Sequence, residues 1–310
     1  MAVSRPARGG DAIYRGAAIA AAALVALVAV GVGVELVARS WPSITRFGLG
    51  FLATARWSPV AGEFGALSSV YGTLVSTAIA LAVAVPLSLV IALFLVELAP
   101  PWIAKPVGVA IELLAAVPSI VYGMWGLFVF APFLAQHVQP ALQGALGFLP
   151  LFRGPPMGIG MLTAGIILAL MVLPFVTAVM RDVFRMVPPV VKEASYGMGS
   201  TTWETTRHVT VRYGFSGLVG AVFLGLGRAV GETMAVTFVI GNSHDVSASL
   251  LAPGNTIAST LANEFTEASE PLYLSALVEL GLVLFLITLL IQVGAQLWIS
   301  RAARRAGRAA

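Results

Sequence analysis

The sequence predicts an all-α membrane protein of six transmembrane helices, and three observations carry that prediction. Only 10% of the 310 residues are charged and 58% are hydrophobic, against roughly 25% charged in soluble domains. A surface so poor in charge must face lipid rather than water. Six apolar stretches reach the roughly 20 residues that a helix needs to cross a bilayer, at about 17–38, 70–96, 107–134, 157–180, 214–240 and 272–299. Lys and Arg collect in alternate connections, as they do on the cytoplasmic side of a multi-pass protein.

Residues 1–16 form a short tail carrying Arg5, Arg8 and Arg15. The apolar run that follows exceeds the 7–15 residues of a secretory signal core, and no small-x-small cleavage site follows it, so it reads as a retained signal anchor. Residues 17–69 comprise this first helix and an outer loop, 39–69, with Trp41, Pro42, Trp57 and Pro59. Its tryptophans read as interface anchors, with contact to an external partner as the alternative. Residues 70–299 hold five more helices, and 300–310 are a basic tail. The second, third, fifth and sixth stretches are longer than one crossing needs, which predicts tilt, a kink or an interfacial turn. Pro86, Pro118 and Pro174 lie inside apolar segments, where each removes a backbone hydrogen bond that neighbours must replace.

Six crossings with both termini inside place thirteen Lys and Arg on the cytoplasmic side. Four remain outside (Arg39, Arg46, Arg56 and Arg153), and the last, Arg228, falls within the fifth stretch. The last outer loop, about 241–271, has Asp245, Glu264, Glu267 and Glu270 but no Lys or Arg. Its Asn242, Asn255 and Asn263, with a Pro253-Gly254 turn, are either contacts for an external protein or ordinary loop residues.

Several classes of chemistry are excluded. Without cysteine there is no disulfide framework or thiolate metal site, and His137, His208 and His244 are not at metal-ligand spacing. No catalytic residue, metal or cofactor is expected. The basic surplus sits at helix ends, which favours a membrane over nucleic acid. No G-x-x-x-x-G-K-[ST] loop occurs, so any ATP-driven step requires another polypeptide.

Two places invite function. In the inner loop, Pro188-Pro189 suit the start of a short helix and Gly197 and Gly199 its end. Ser200 or Thr201 caps the next helix, with Glu204 in its first turn. In the fifth stretch, Arg228 and Glu232 are spaced i, i+4, which puts them on one helix face. Charges at mid-membrane are costly and default to function. Arg228 could meet an anion, with Glu232 holding it when none is present; a buried structural ion pair is the competing reading. Gly227 and Gly231, extended by Gly217, Ala221 and Gly225, suit close helix packing.

The inner loop at 188–212, with Glu193-Ala194-Ser195, then Gly199, then Val209-x-Val211, resembles the EAA loop of binding-protein-dependent ABC permeases. The resemblance implies that Glu193, Ala194, Ser195 and Gly199 couple the chain to an ATPase subunit. Arg212 stands where that family usually has proline, so the exit from the second helix is expected to differ. Further stretches narrow the family: Tyr71–Val75, Ala92–Pro100, Ile111–Gly126, Val179–Phe184, Gly225–Phe238, Pro253–Asn255 and Ala262–Phe265. Together they resemble the permease subunits of the bacterial phosphate-specific transport system, MetI-like in fold. That implies a type I ABC importer permease in a bacterial inner membrane, working with a sister permease subunit, an ATPase dimer and a periplasmic phosphate-binding protein. Arg228 and Glu232 both fall on this family's pattern, which favours a place in the substrate pathway. The alternatives are a permease for sulfate or molybdate, an ion-coupled carrier, and a phosphate-sensing subunit that does not transport.

Overall fold

The computed structural model describes residues 9–306, and the backbone there is almost wholly helical. Arg5, Arg8 and Arg308 of the charge count lie outside the described residues. Among the described residues, six helices are long and apolar enough to cross a membrane.

Helix α1 (Gly9–Phe47) runs past its apolar stretch and contains Pro42. The proline disrupts the local ladder, and the last crossing repairs it. Ser43 N donates to Ser275 Oγ at 3.1 Å, and Ser275 Oγ donates to the Arg39 carbonyl at 3.0 Å. A short α2 (Gly50–Ala53) tucks Phe51 under the bundle, where it joins Phe64, Ile257, Tyr273, Leu277 and Leu280 in a small core.

Helix α3 (Leu67–Leu98) closes on a π-helical turn, Phe94–Leu98. Its buried face is a run of small side chains, Ser69, Gly72, Thr73, Ser76, Ala80, Ala84, Ser88 and Ala92. Small residues allow close backbone approach where lipid gives no hydrophobic drive between helices. This face packs on α6 (Met161–Arg185), the most buried crossing. Ile167, Leu168, Val172, Val176 and Phe184 of α6 form the main core.

The third crossing is broken. Helix α4 (Pro101–Ala115) ends, the chain bends at Ala116–Pro118, and α5 (Ser119–Leu146) continues. Tyr122 Oη donates to the Leu114 carbonyl at 2.9 Å, satisfying an acceptor freed by the bend. Packing marks fix its course: Gly108 lies against Arg181, Gly126 against Ile167, and Ala131 against Gly158. The expected span 107–134 is therefore occupied by two helices rather than one.

After α6 come α7 (Pro189–Gly197) and α8 (Thr202–Val230), then α9 (Met234–Val239), α10 (Ile257–Glu264) and α11 (Pro271–Ala306). The helix of the fifth stretch, placed at about 214–240, starts earlier and stops at Val230. Gly231, Glu232 and Thr233 are not helical. Contacts sort the connections to two ends. At the end rich in Lys and Arg, Lys192 pairs with Glu97 and Arg181 with Glu112. At the opposite end Leu250 N donates to the Leu151 carbonyl at 2.9 Å, and Trp57 donates to Glu264.

Candidate translocation and coupling sites

Arg228 lies in the last turn of α8. Its guanidinium carbon stands 5.4 Å from the centroid of the Phe175 ring, within cation–π range. Phe175 lies about midway along α6, so the charge is far from either end of the bundle. Its Nε is buried and makes no hydrogen bond, and no acidic side chain pairs with Arg228 among the described residues. Glu232 is engaged elsewhere: its Oε1 accepts from Ala235 N at 3.2 Å and so caps α9. The shared face expected from the i, i+4 spacing is not formed, because Gly231 ends the helix between them. Of the glycine pair, Gly227 faces Gln292 of α11, whereas Gly231 is exposed and sits in the break. Gly217 and Gly225 do pack, against Val183 and Val176 of α6.

Beside this level lies an apolar groove of about 390 Å³ between the bend of the third crossing and α6, lined by Leu114, Val121, Tyr122, Trp125, Leu173 and Pro174. It offers an anion nothing. A guanidinium keeps its charge at any physiological pH and presents five donors suited to carboxylate and phosphate oxygens. Phe175 and Gln292 were missed by sequence reasoning, since nothing in an apolar run singles out one aromatic or one amide.

The inner loop is built as its sequence predicts. Pro189 occupies the first position of α7, and Gly199 has φ +86°, a conformation glycine adopts without steric cost. Thr201 N donates to Glu204 Oε2 at 2.8 Å, and Glu204 N donates to Thr201 Oγ1 at 3.3 Å, a capping box. Glu193 and Ala194 are exposed; Ser195 is buried, its Oγ 3.0 Å from Thr205 Oγ1. Without a proline at 212, α8 runs through Arg212 unbroken, entered by a π-helical turn at Thr206–Thr210. Around the loop Met186, Val190, Met198 and Trp203 are all largely exposed. The loop thus displays apolar side chains beside charged ones at the same end of the bundle.

At the opposite end a polar cluster ties three segments together. His244 stacks on Trp57 at 5.4 Å between ring centroids, and its Nε2 lies 2.8 Å from Glu264 Oε1. Tyr273 Oη donates to Glu264 Oε2 at 2.8 Å. Burial pushes the Glu264 carboxyl up, but donors from His244, Tyr273 and Trp57 outweigh it and hold the group below its ordinary value. Asn255 Nδ2 reaches Ser69 Oγ at 3.0 Å, Thr260 Oγ1 at 3.1 Å and His244 Nδ1 at 2.8 Å. Trp57 is half-buried and bonded within this cluster, while Trp41 is exposed. Asn255 is a buried bridge; Asn242, with φ +53°, and Asn263 are exposed.

The sequence pattern of the family described as "Binding-protein-dependent transport system inner membrane component" matches residues 84–305. The protein is 53% identical to the phosphate transport system permease protein PstC of Mesorhizobium japonicum, over 96% of this chain and 92% of that one. It is 51% identical to PstC of Haemophilus influenzae, over 93% and 92%, and 38% identical to the probable PstC of Methanocaldococcus jannaschii, over 81% and 82%. Among solved structures, the MetNI methionine ABC transporter in an inward-facing conformation superposes with a TM-score of 0.53 at 17% identity, over 78% of this chain and 94% of that one. The likeness shows the fold, that of an ABC importer permease. The chain belongs to the inner-membrane permease family of binding-protein-dependent transport systems.

Proposed function

We propose that this chain is the channel-forming permease subunit of an ATP-driven inorganic phosphate importer. The observation that carries the proposal is the unpaired Arg228 guanidinium at the break in the fifth crossing. A half-buried cation in mid-bundle without a counter-charge is costly, and an oxyanion passing the break would supply one. PstC proteins with about half of their residues in common support phosphate as that anion. Glu232 fixes the break that presents Arg228, and its negative charge keeps anion binding weak enough for release, as conduction requires.

Both termini lie in the cytoplasm, following the thirteen-to-four division of basic residues. The chain pairs with a PstA-like sister permease above a PstB-like ATPase dimer, and a PstS-like phosphate-binding protein docks at the acidic 241–271 loop. Glu193, Ala194, Ser195 and Gly199 shape the loop that seats the ATPase. ATP-driven closure of the dimer pulls this loop and rocks the two permeases between inward and outward states. This chain carries out no covalent step.

The test is uptake of labelled phosphate by proteoliposomes of the co-purified complex, with sulfate and arsenate as competitors. Arg228→Gln and Glu232→Gln assemble normally, and Arg228→Gln lowers uptake about 10- to 100-fold, the worth of one charge-assisted hydrogen bond. Normal uptake by both variants refutes the pathway role.

A further inference from the structure

We infer that the ion pair between Lys192 and Glu97 is the link through which the inner loop moves the second crossing. This rests on the importer reading above and adds a positioning pair to it. Lys192 Nζ lies 2.6 Å from Glu97 Oε1, with side chains only 18% and 8% exposed. Lys192 belongs to α7, whose other side chains are mostly exposed. Glu97 belongs to the π-helical turn that closes α3, and such turns recur at functional positions.

Helix α7 has few other ties. It is entered at Pro188-Pro189, which donate no backbone hydrogen bond. It leaves through Gly199, at positive φ with open space where a Cβ would stand. Between those two joints, Ser195 touches Thr205 at the start of α8, and Lys192 touches α3. The helix is a short lever gripping the second crossing on one side and the fifth on the other. A carboxylate as buried as that of Glu97 cannot part from its cation without being left uncompensated. A load on α7 therefore reaches α3, whose small-residue face lies along α6. The neighbours Glu193, Ala194 and Tyr196 point outward and remain available to a partner, so the grip and the docking face are separate.

The test uses the intact complex with its ATPase in liposomes, measuring anion uptake and ATP hydrolysis together. In Lys192→Met and in Glu97→Gln, uptake per ATP falls about tenfold, within the range that coupling contacts carry, while hydrolysis and co-purification stay within about threefold of wild type. The exchanged pair, Lys192→Glu with Glu97→Lys, regains most of the ratio. Because the chain has no cysteine, Lys192→Cys with Glu97→Cys can be joined by a short bifunctional thiol-alkylating cross-linker, and the joined form couples where the unjoined one does not. An unchanged ratio in the single variants, loss of the ATPase from the complex, or failure of both the exchange and the cross-link to restore coupling would each overturn the inference. If the wild-type complex carries sulfate and not phosphate, the substrate proposal fails, and the same ratio measured with sulfate still decides the role of the pair.

Discussion

Gly123 lies where α5 crosses α9, next to the break in the fifth crossing. A Cβ added there would stand 2.7 Å from a ring carbon of Phe238, 3.0 Å from the Ala235 α-carbon and 3.2 Å from the Met234 carbonyl oxygen. Phe238 can turn, but Ala235 and Met234 present backbone, so α9 itself must retreat by roughly half an ångström to restore ordinary contact. Overpacking of this kind costs about 1–3 kcal/mol, and alanine recovers about 1 kcal/mol of helix propensity over glycine. Gly123→Ala is therefore expected to destabilise by up to about 2 kcal/mol. Gly144, also helical and with nothing within 4 Å of the added carbon, is the matched control. There alanine is expected to stabilise by about 0.4–1 kcal/mol through the unfolded chain. Unfolding of the purified protein by SDS in mixed micelles measures both, and the prediction is a difference in sign. If Gly123→Ala unfolds no earlier than Gly144→Ala, α5 and α9 are not in the close contact described.

Two further predictions concern the ends of the bundle. Because Glu264 ionises below its ordinary 4.5 in the folded protein, its contribution to stability is complete above the unfolded value and fades as pH falls through the folded one. Melting of Glu264→Gln against pH should show wild type ahead at neutrality and the two converging as pH falls through and below the ordinary carboxylate range; a gap that persists in acid would mean the carboxylate's charge is irrelevant. At Gly199 the only obstacle to a side chain is its positive φ, so alanine should cost about 1–2 kcal/mol and asparagine distinctly less. Co-purification of the ATPase should follow that order, and equal losses for both would point to a missing contact instead.

The crossings were legible because hydropathy over 20 residues is a strong signal, and the lipid leaves the chain little choice but helix. The breaks were less so. Pro118 announced the bend in the third crossing, but the interruption at Gly231-Glu232-Thr233 was hidden by the apolar residues on both sides. A cue was present: a glycine suited to end one helix, followed by polar groups able to cap the next. Reading Arg228 and Glu232 by helical spacing passed over it. The Trp57–Glu264 and Lys192–Glu97 contacts join residues 207 and 95 apart in sequence, and no local pattern encodes a meeting over such distances. The inner loop was read almost residue by residue because proline, glycine and a capping box act within a single turn of chain.

The seam between α1 and α11 bears on how the molecule is made. The first helix finds its principal neighbour in the last, and the Ser43–Ser275 bond that mends the Pro42 kink spans 232 positions. During synthesis α1 enters the bilayer and must wait there, solvated by acyl chains on every side, while the four crossings between are threaded and folded. Its uniformly apolar surface from Ala17 to Val34 suits it to that wait. Closure of the bundle at this edge is a late event that begins only when the final helix leaves the ribosome.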